Sequence, residues 1–300
     1  MKNWLKLIPL IIILGLTIFY NDNITHFFIK KIVFNEKIYL NDSNEYKLNY
    51  DFKYIKQTND FVAKNKQELI NIFYTFLNNG NEQFYFYCDY DNCNNDINSL
   101  TNENELSYIN NFLHPYNSYK KVSITINSYN KIEAFVEKSY NSDIIEKTNK
   151  KLDEIIDEIL DQNMTDKEKI TSIHNYIIET TSYDSNYLDT NLIDINNPSH
   201  KAIGPLFYHK ALCGGYTDAM ALFLNKLKIP NYRISSETHI WNYVYVDNNW
   251  YHLDLTWDDP VMDDGSEVIL DNFLLITTKQ LEDYNTGYHT YDKSIYIEAS

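Results

Sequence analysis

The sequence predicts an α+β protein, and three observations carry that expectation. Stretches with apolar residues at helical spacing are interleaved with short runs in which apolar and polar residues alternate. Several helical stretches carry their own start and stop signals. Two alternating runs flank Asp247-Asn248, a pair that turns a chain back on itself. At 300 residues the chain is long enough for one large domain or two modest ones.

The elements follow in order. Lys2 and Lys6 precede an apolar run over residues 7–20. At about 14 residues it fits a signal h-region and falls short of the roughly 20 a spanning helix needs. No small-x-small cleavage site follows, so an uncleaved signal-anchor and a cleaved signal both stay open for residues 1–20. Either puts the rest of the chain outside the cytoplasm, membrane-anchored or secreted. Residues 66–78 predict a helix: Leu69, Ile70, Phe73, Phe76 and Leu77 recur at helical spacing, and Gly80 can end it. A strand is expected over 83–87, a short helix over 103–113 before Pro115, and two strands over 120–126 and 131–136 around a turn at 127–130. Residues 21–140 thus read as a small α+β N-terminal region. Residues 142–160 are helical by spacing, and Thr165 with Glu168 is a capping box opening a helix through Ile178. The boundary is expected near residue 140, with a second domain over 141–300.

Charge and cysteines narrow the function. The net charge of −16 argues against nucleic acid, which is gripped by Lys and Arg, and against a peripheral hold on anionic lipid. Cys88 and Cys93 lie in CDYDNC, where a local disulfide and two separate thiols are both open. Cys213 is the odd cysteine, which in an exported protein marks a candidate reactive thiol.

The chemistry concentrates in residues 202–260. After Cys213 the positions Tyr216, Ala219, Met220, Phe223, Leu224 and Leu227 form a helical stripe that Pro230 stops. Cys213 therefore falls in the first turn of a helix, where exposed N–H groups stabilise a thiolate. Gly214 and Gly215 allow another backbone or a substrate to come close. Taken alone, Cys213 reads more readily as a small buried thiol than as a nucleophile. The runs over 239–246 and 249–257 then form a hairpin. An Asp247-Asn248 turn pairs Val246 with Asn249 and brings Asp254 within two residues of the partner of His239, at roughly 7–8 Å. An Asn248-Asn249 turn would set Asp254 opposite Tyr243, roughly 13 Å from His239 along the strand. Only the first register brings a carboxylate to the histidine. One hairpin face carries Ile240, Val244, Val246, Tyr251, Leu253 and Leu255 and reads as core. The other carries His239, Trp241, Tyr243, Trp250, His252 and Asp254 and reads as a cleft. A nucleophile, a base and an orienter in this order fit thiol acyl transfer.

LCGGYTDAM, HIWNYVYVDNNWYHLDLTWDDP and the preceding IHNYIIETTSYD resemble the transglutaminase-like superfamily, especially its bacterial exported members, over about residues 167–291. The resemblance implies a papain-like α+β core, with the cysteine helix packed on an antiparallel sheet. It assigns Cys213, His239 and Asp254 to the triad. Family members often carry a bulky or acidic residue at Gly214, Ala or Ser at Ile240, and Asp-Gly at the hairpin turn, so substrate preference and local geometry are open. No calcium loop is carried over, and His200, His209, Cys213 and His252 lack zinc-ligand spacing, so neither metal nor cofactor is expected.

The expected reaction is attack of the Cys213 thiolate on an amide of a protein or peptide substrate. The Cys213 N–H serves the oxyanion, and Trp241, Asn242 or Tyr208 is a candidate second donor. Water as acceptor gives a cysteine protease or amidase, and an amine gives a cross-linker. Tyr208, Gly214, Tyr216, Trp241, Asn242 and Trp257 are the expected cleft residues, and His289 is expected at the surface or cleft rim. The rival function is a catalytically inactive binding module at the cell surface.

Overall fold

A computed structural model describes residues 38, 40, 44–50, 52–102, 105–127, 130–185, 196–260 and 268–296. The expected signal or anchor at residues 1–20 lies outside them. Among the described residues no helix is long and apolar enough to cross a membrane.

The first half builds one sheet. Strands β1 (Val62–Ala63), β2 (Gln83–Cys88), β3 (Tyr119–Ile126) and β4 (Lys131–Lys138) are ordered β1-β2-β4-β3, with β1 parallel to β2 and the other pairs antiparallel. Helix α1 (Lys66–Asn78) covers the predicted residues. The Asn65 side chain accepts from Glu68 N at its start, and Gly80 turns the chain with φ +70° just after its end. Helices α2 (Cys93–Asn102) and α3 (Glu105–Asn111) follow β2. Cys88 and Cys93 are joined by a disulfide.

The second half begins with α4 (Ser142–Ile159) and α5 (Asp166–Thr180), the latter opened by the Thr165–Glu168 capping box. Short parallel strands β5 (Ser182–Tyr183) and β6 (Lys210–Ala211) lead into α6 (Cys213–Lys226). Strands β7 (Asn231–Ser235), β8 (Ile240–Val246) and β9 (Asn249–Leu253) form an antiparallel sheet in that order. Helices α7 (Leu255–Asp258) and α8 (Thr278–Tyr284) complete the fold.

The β8–β9 hairpin has the first of the two registers. Val246 pairs with Asn249 and Asn242 with Leu253, and φ is positive at both Asp247 (51°) and Asn248 (65°), as a type I′ turn requires. The second strand is shorter than expected. It ends at Leu253 because the Asp254 carboxylate caps the backbone N–H of Thr256 at 3.0 Å and turns the chain into α7.

The hairpin separates two hydrophobic cores. Val244, Val246 and Leu253 join the core of α4, α5 and α6. The opposite face, expected to line a cleft, is buried instead: Trp241, Tyr243 and His252 are each 0% exposed. Trp241 and Tyr243 belong to a core shared with Phe52, Phe112 and Tyr296, so residues from both sides of residue 140 build it. An aromatic side chain buries about 150–250 Å², and an open face of this composition would exceed the apolar patch a soluble monomer carries. The N-terminal sheet layer and the segment 273–296 cover it.

A buried ion pair locks these layers together. Arg233 on β7 donates through Nη1 to Asp218 Oδ1 on α6 (2.5 Å) and through Nη2 to the carbonyls of Asn110 and Leu113. Tyr140 Oη donates to Asp218 Oδ2 (2.8 Å) and accepts from Ala202 N (2.9 Å).

Candidate active site

Helix α6 starts without a side-chain cap, so the free, half-buried Cys213 sits among uncapped N–H groups. The loop before it presses on the helix. A Cβ on Gly214 would lie 2.9 Å from the carbonyl oxygen of His200, and one on Gly215 would lie 2.4 Å from that of Ser199. These glycines admit a neighbouring backbone. Two bonds fix the helix start against β8: Asn242 Nδ2 donates to Thr217 O and Thr217 Oγ1 donates to Ile240 O, both at 3.0 Å.

His239 stands just before β8, its backbone N–H held by Ser236 Oγ at 3.1 Å. Its ring lies between the other two predicted residues. Nε2 meets Asp254 Oδ2 at 2.6 Å, and the Cys213 side chain is near enough for its charge to act on the ring. Burial alone would lower the affinity of His239 for its proton. The charge and hydrogen bond of Asp254, with the charge of Cys213, override burial and hold it at about 10. Burial likewise works against ionising Asp254, and His239 with His289 overcomes it and brings the carboxyl down to about 2.

The other expected cleft residues divide. Tyr208 is 63% exposed at the end of the π-turn before β6. Gly214 lines a cavity of about 730 Å³ whose opposite wall comes from the N-terminal region through Ser107, Tyr108, Asn110 and Lys120. Trp257 is half-buried against Phe273 and His289. Tyr216, Trp241 and Asn242 are buried. Tyr216 Oη donates to Asp259, Trp241 Nε1 donates to His252 Nδ1 at 3.0 Å, and Asn242 Nδ2 is committed to Thr217. Trp241 has thereby spent its single indole N–H, and Asn242, with one of its two amide hydrogens on Thr217, is 1% exposed, so neither side chain is presented as an oxyanion donor.

The sequence reading passed over one residue at the site and misplaced another. Tyr183 pairs across β5–β6 with Ala211, two residues before Cys213. Burial first, and then the charge of Cys213, push its hydroxyl up. It stands in the quoted IHNYIIETTSYD, so the signal was present and unread. His289, expected at the surface or cleft rim, is buried, and its Nε2 lies 2.8 Å from Asp254 Oδ2. Among the described residues His239, Asp254 and His289 form the group whose ligand types suit a metal, their atoms lying within 4.8 Å of one another. Direct contacts of 2.6 and 2.8 Å to one oxygen are hydrogen bonds, and metal–ligand bonds of roughly 2.0–2.2 Å would require these atoms to separate.

Residues 153–255, from within α4 to one residue past Asp254, match the family model described as "Transglutaminase-like superfamily". No curated protein matches the chain. Similar solved structures include a TGase, 18% identical with a TM-score of 0.35, where the match covers 46% of this chain and 44% of that one. Another is a protein from Cytophaga hutchinsonii proposed to be a cysteine protease, 12% identical with a TM-score of 0.30. There the match covers 50% of this chain and 65% of that one, so the chain spans less than two thirds of either protein.

Proposed function

We propose that this chain, which belongs to the transglutaminase-like superfamily through residues 153–255, performs thiol-dependent acyl transfer on amide bonds with Cys213, His239 and Asp254. The observation that supports it best is the grouping of three side chains: His239 hydrogen-bonded to a buried carboxylate and close enough to a free thiol to feel its charge.

The steps follow from that grouping. His239 Nε2 faces Asp254, so Nδ1 serves the cysteine. The Cys213 thiolate attacks the amide carbon and a C–S bond forms. The oxyanion takes the Cys213 backbone N–H and, in place of Trp241 or Asn242, the Tyr183 hydroxyl. The Nδ1 proton passes to the leaving amine as the C–N bond breaks. Water then attacks the thioester, His239 takes its proton, and the carboxylic acid departs as thiolate re-forms. Hydrolysis is the favoured outcome because water needs no second binding site; an amine acceptor would make the same intermediate a cross-link. The substrate is a protein or peptide lying in the cavity between the N-terminal region and the start of α6. The same reading puts the chain outside the cytoplasm, and the Cys88–Cys93 disulfide supports an oxidising compartment.

The test is iodoacetamide labelling of the purified protein, followed by mass spectrometry. Labelling near neutral pH is expected to be fast, confined to Cys213, and slowed by His239→Ala. Slow labelling indifferent to His239 would leave an inactive binding module.

A further inference from the structure

Asp254 does not serve His239 alone. Oδ2 meets His239 Nε2 at 2.6 Å and His289 Nε2 at 2.8 Å, while Oδ1 accepts from Thr256 N at 3.0 Å. The second His289 nitrogen, Nδ1, meets Thr286 Oγ1 at 2.7 Å. The His289 side chain is 4% exposed, stacked on Phe273 (20° between planes) and set edge-on to Trp241 (79°). Both ring nitrogens and the ring plane are therefore fixed. His289 also lies outside residues 153–255, on the segment that closes over the hairpin.

We infer that His289 is a positioning residue of this site: it shares Asp254 Oδ2 with His239, and by taking part of that oxygen's charge it sets how tightly His239 holds its proton. The inference rests on the catalytic reading of Cys213, His239 and Asp254.

Two donors on one carboxylate oxygen compete for the same charge. An undivided Asp254 would bind the imidazolium of His239 more tightly, and a tightly held proton is given up poorly to a leaving amine. Orientation of Asp254 needs no second histidine, because Thr256 N already fixes Oδ1. What His289 adds is the division of Oδ2.

The groups that face this pair are few. His239 precedes β8, Asp254 caps α7, Asp258 on the same helix feels the charge of Asp254 and is paired with His174 at 3.1 Å, and Cys213 on α6 acts through His239. His252 on β9 is held neutral: burial and then His289 lower it to about 3. On the segment of His289 itself, Lys293 is paired with Glu282.

The experiment is an NMR titration of histidine-labelled full chain in a Cys213→Ala background, where the thiolate no longer supports the His239 proton. His289→Phe keeps an aromatic ring against Phe273 and removes the donor. It is expected to raise the His239 midpoint by about one pH unit, roughly tenfold in proton affinity. His289→Gln returns an amide N–H to about the reach of Nε2 and is expected to restore the starting midpoint. An unmoved or lowered midpoint in folded His289→Phe overturns the inference, and so does His289→Gln behaving like His289→Phe. Should His289→Phe fail to fold, Thr286→Val keeps the ring and removes its second bond. A smaller upward shift of about twofold in affinity is then expected, and no shift overturns the inference. The midpoint is read without turnover, so it can fail while Cys213 labels fast; slow labelling with the midpoint shifting as expected would sink the catalytic reading alone.

Discussion

Both faces of the β8–β9 hairpin are buried, but they do different things. Val244, Val246 and Leu253 face a mostly aliphatic core with α5 and α6, which supports the helix that carries Cys213. Trp241, Tyr243 and His252 face the other way, where ring nitrogens are held in a low-dielectric interior. There Trp241 Nε1 donates to His252 Nδ1, and His252 Nε2 meets Thr278 Oγ1 at 3.1 Å. One face fixes where the thiol stands, and the other sets what His239 and Asp254 can do with a proton.

The sharpest way to separate the two is to change charge without shape. Asp254→Asn keeps the cap on Thr256 and removes the charge that holds His239 protonated. Amide turnover is expected to fall by about three to four orders of magnitude, with iodoacetamide labelling near neutral pH slowed as well. A loss under tenfold would show that Asp254 is no orienter. On the opposite face, Val244→Ala removes two fully buried methyl groups. It is expected to cost about 2–3 kcal/mol in urea unfolding. Labelling of Cys213 per folded molecule should be unchanged, and a matching loss of labelling would mean that the aliphatic face does more than support.

This division was only half legible in the sequence. α1 and the β8–β9 register were readable because their causes are local: Asn65 and Gly80 at the ends of one, positive φ at Asp247 and Asn248 in the other. The His239–Asp254 contact follows from that register. The burial of Trp241 and Tyr243 was not readable, since the layer that covers them comes from residues such as Phe52, Phe112 and Tyr296, far away in the chain. An alternation of aromatics and histidines looks the same whether it faces a cleft or a second core. His289 was misplaced for a related reason: it comes from a loop with no periodicity and meets Asp254 from 35 positions away.

A smaller effect probes the aromatic core from its far side. Cys88 and Cys93, both in that core, close a short loop, and chain entropy alone values such a bond at about 2 kcal/mol. Reduction is expected to lower the stability read from urea unfolding by that amount while Cys213 labels at an unchanged rate. A simultaneous loss of labelling would mean that the N-terminal region controls the site as well as covering it.

The smallest effect compares the cores through one histidine beside each. Burial, with the charge of His289, lowers His252 to about 3, and burial, with the charge of Arg233, does the same to His114, which packs on Tyr116 of the aliphatic core. Both titrate near 6.5 when unfolded. Between pH 6.5 and about 3 the unfolded chain takes up protons that the folded chain refuses, so stability falls on acidification by about 1.4 kcal/mol per pH unit for each. His239 acts in another window: raised to about 10, its contribution is complete below 6.5 and lost as pH rises through 10. The contribution of Asp254, lowered to about 2, is present above 3.8 and lost as pH falls through 2. The slope of stability between pH 6.5 and 4.5 therefore belongs to His252 and His114 before either of the proposed catalytic groups. Urea unfolding across that range should show His252→Gln and His114→Gln each removing about one proton's worth of slope. A double variant with the original slope would assign the acid sensitivity to carboxylates elsewhere and leave the two cores alike in their response to pH.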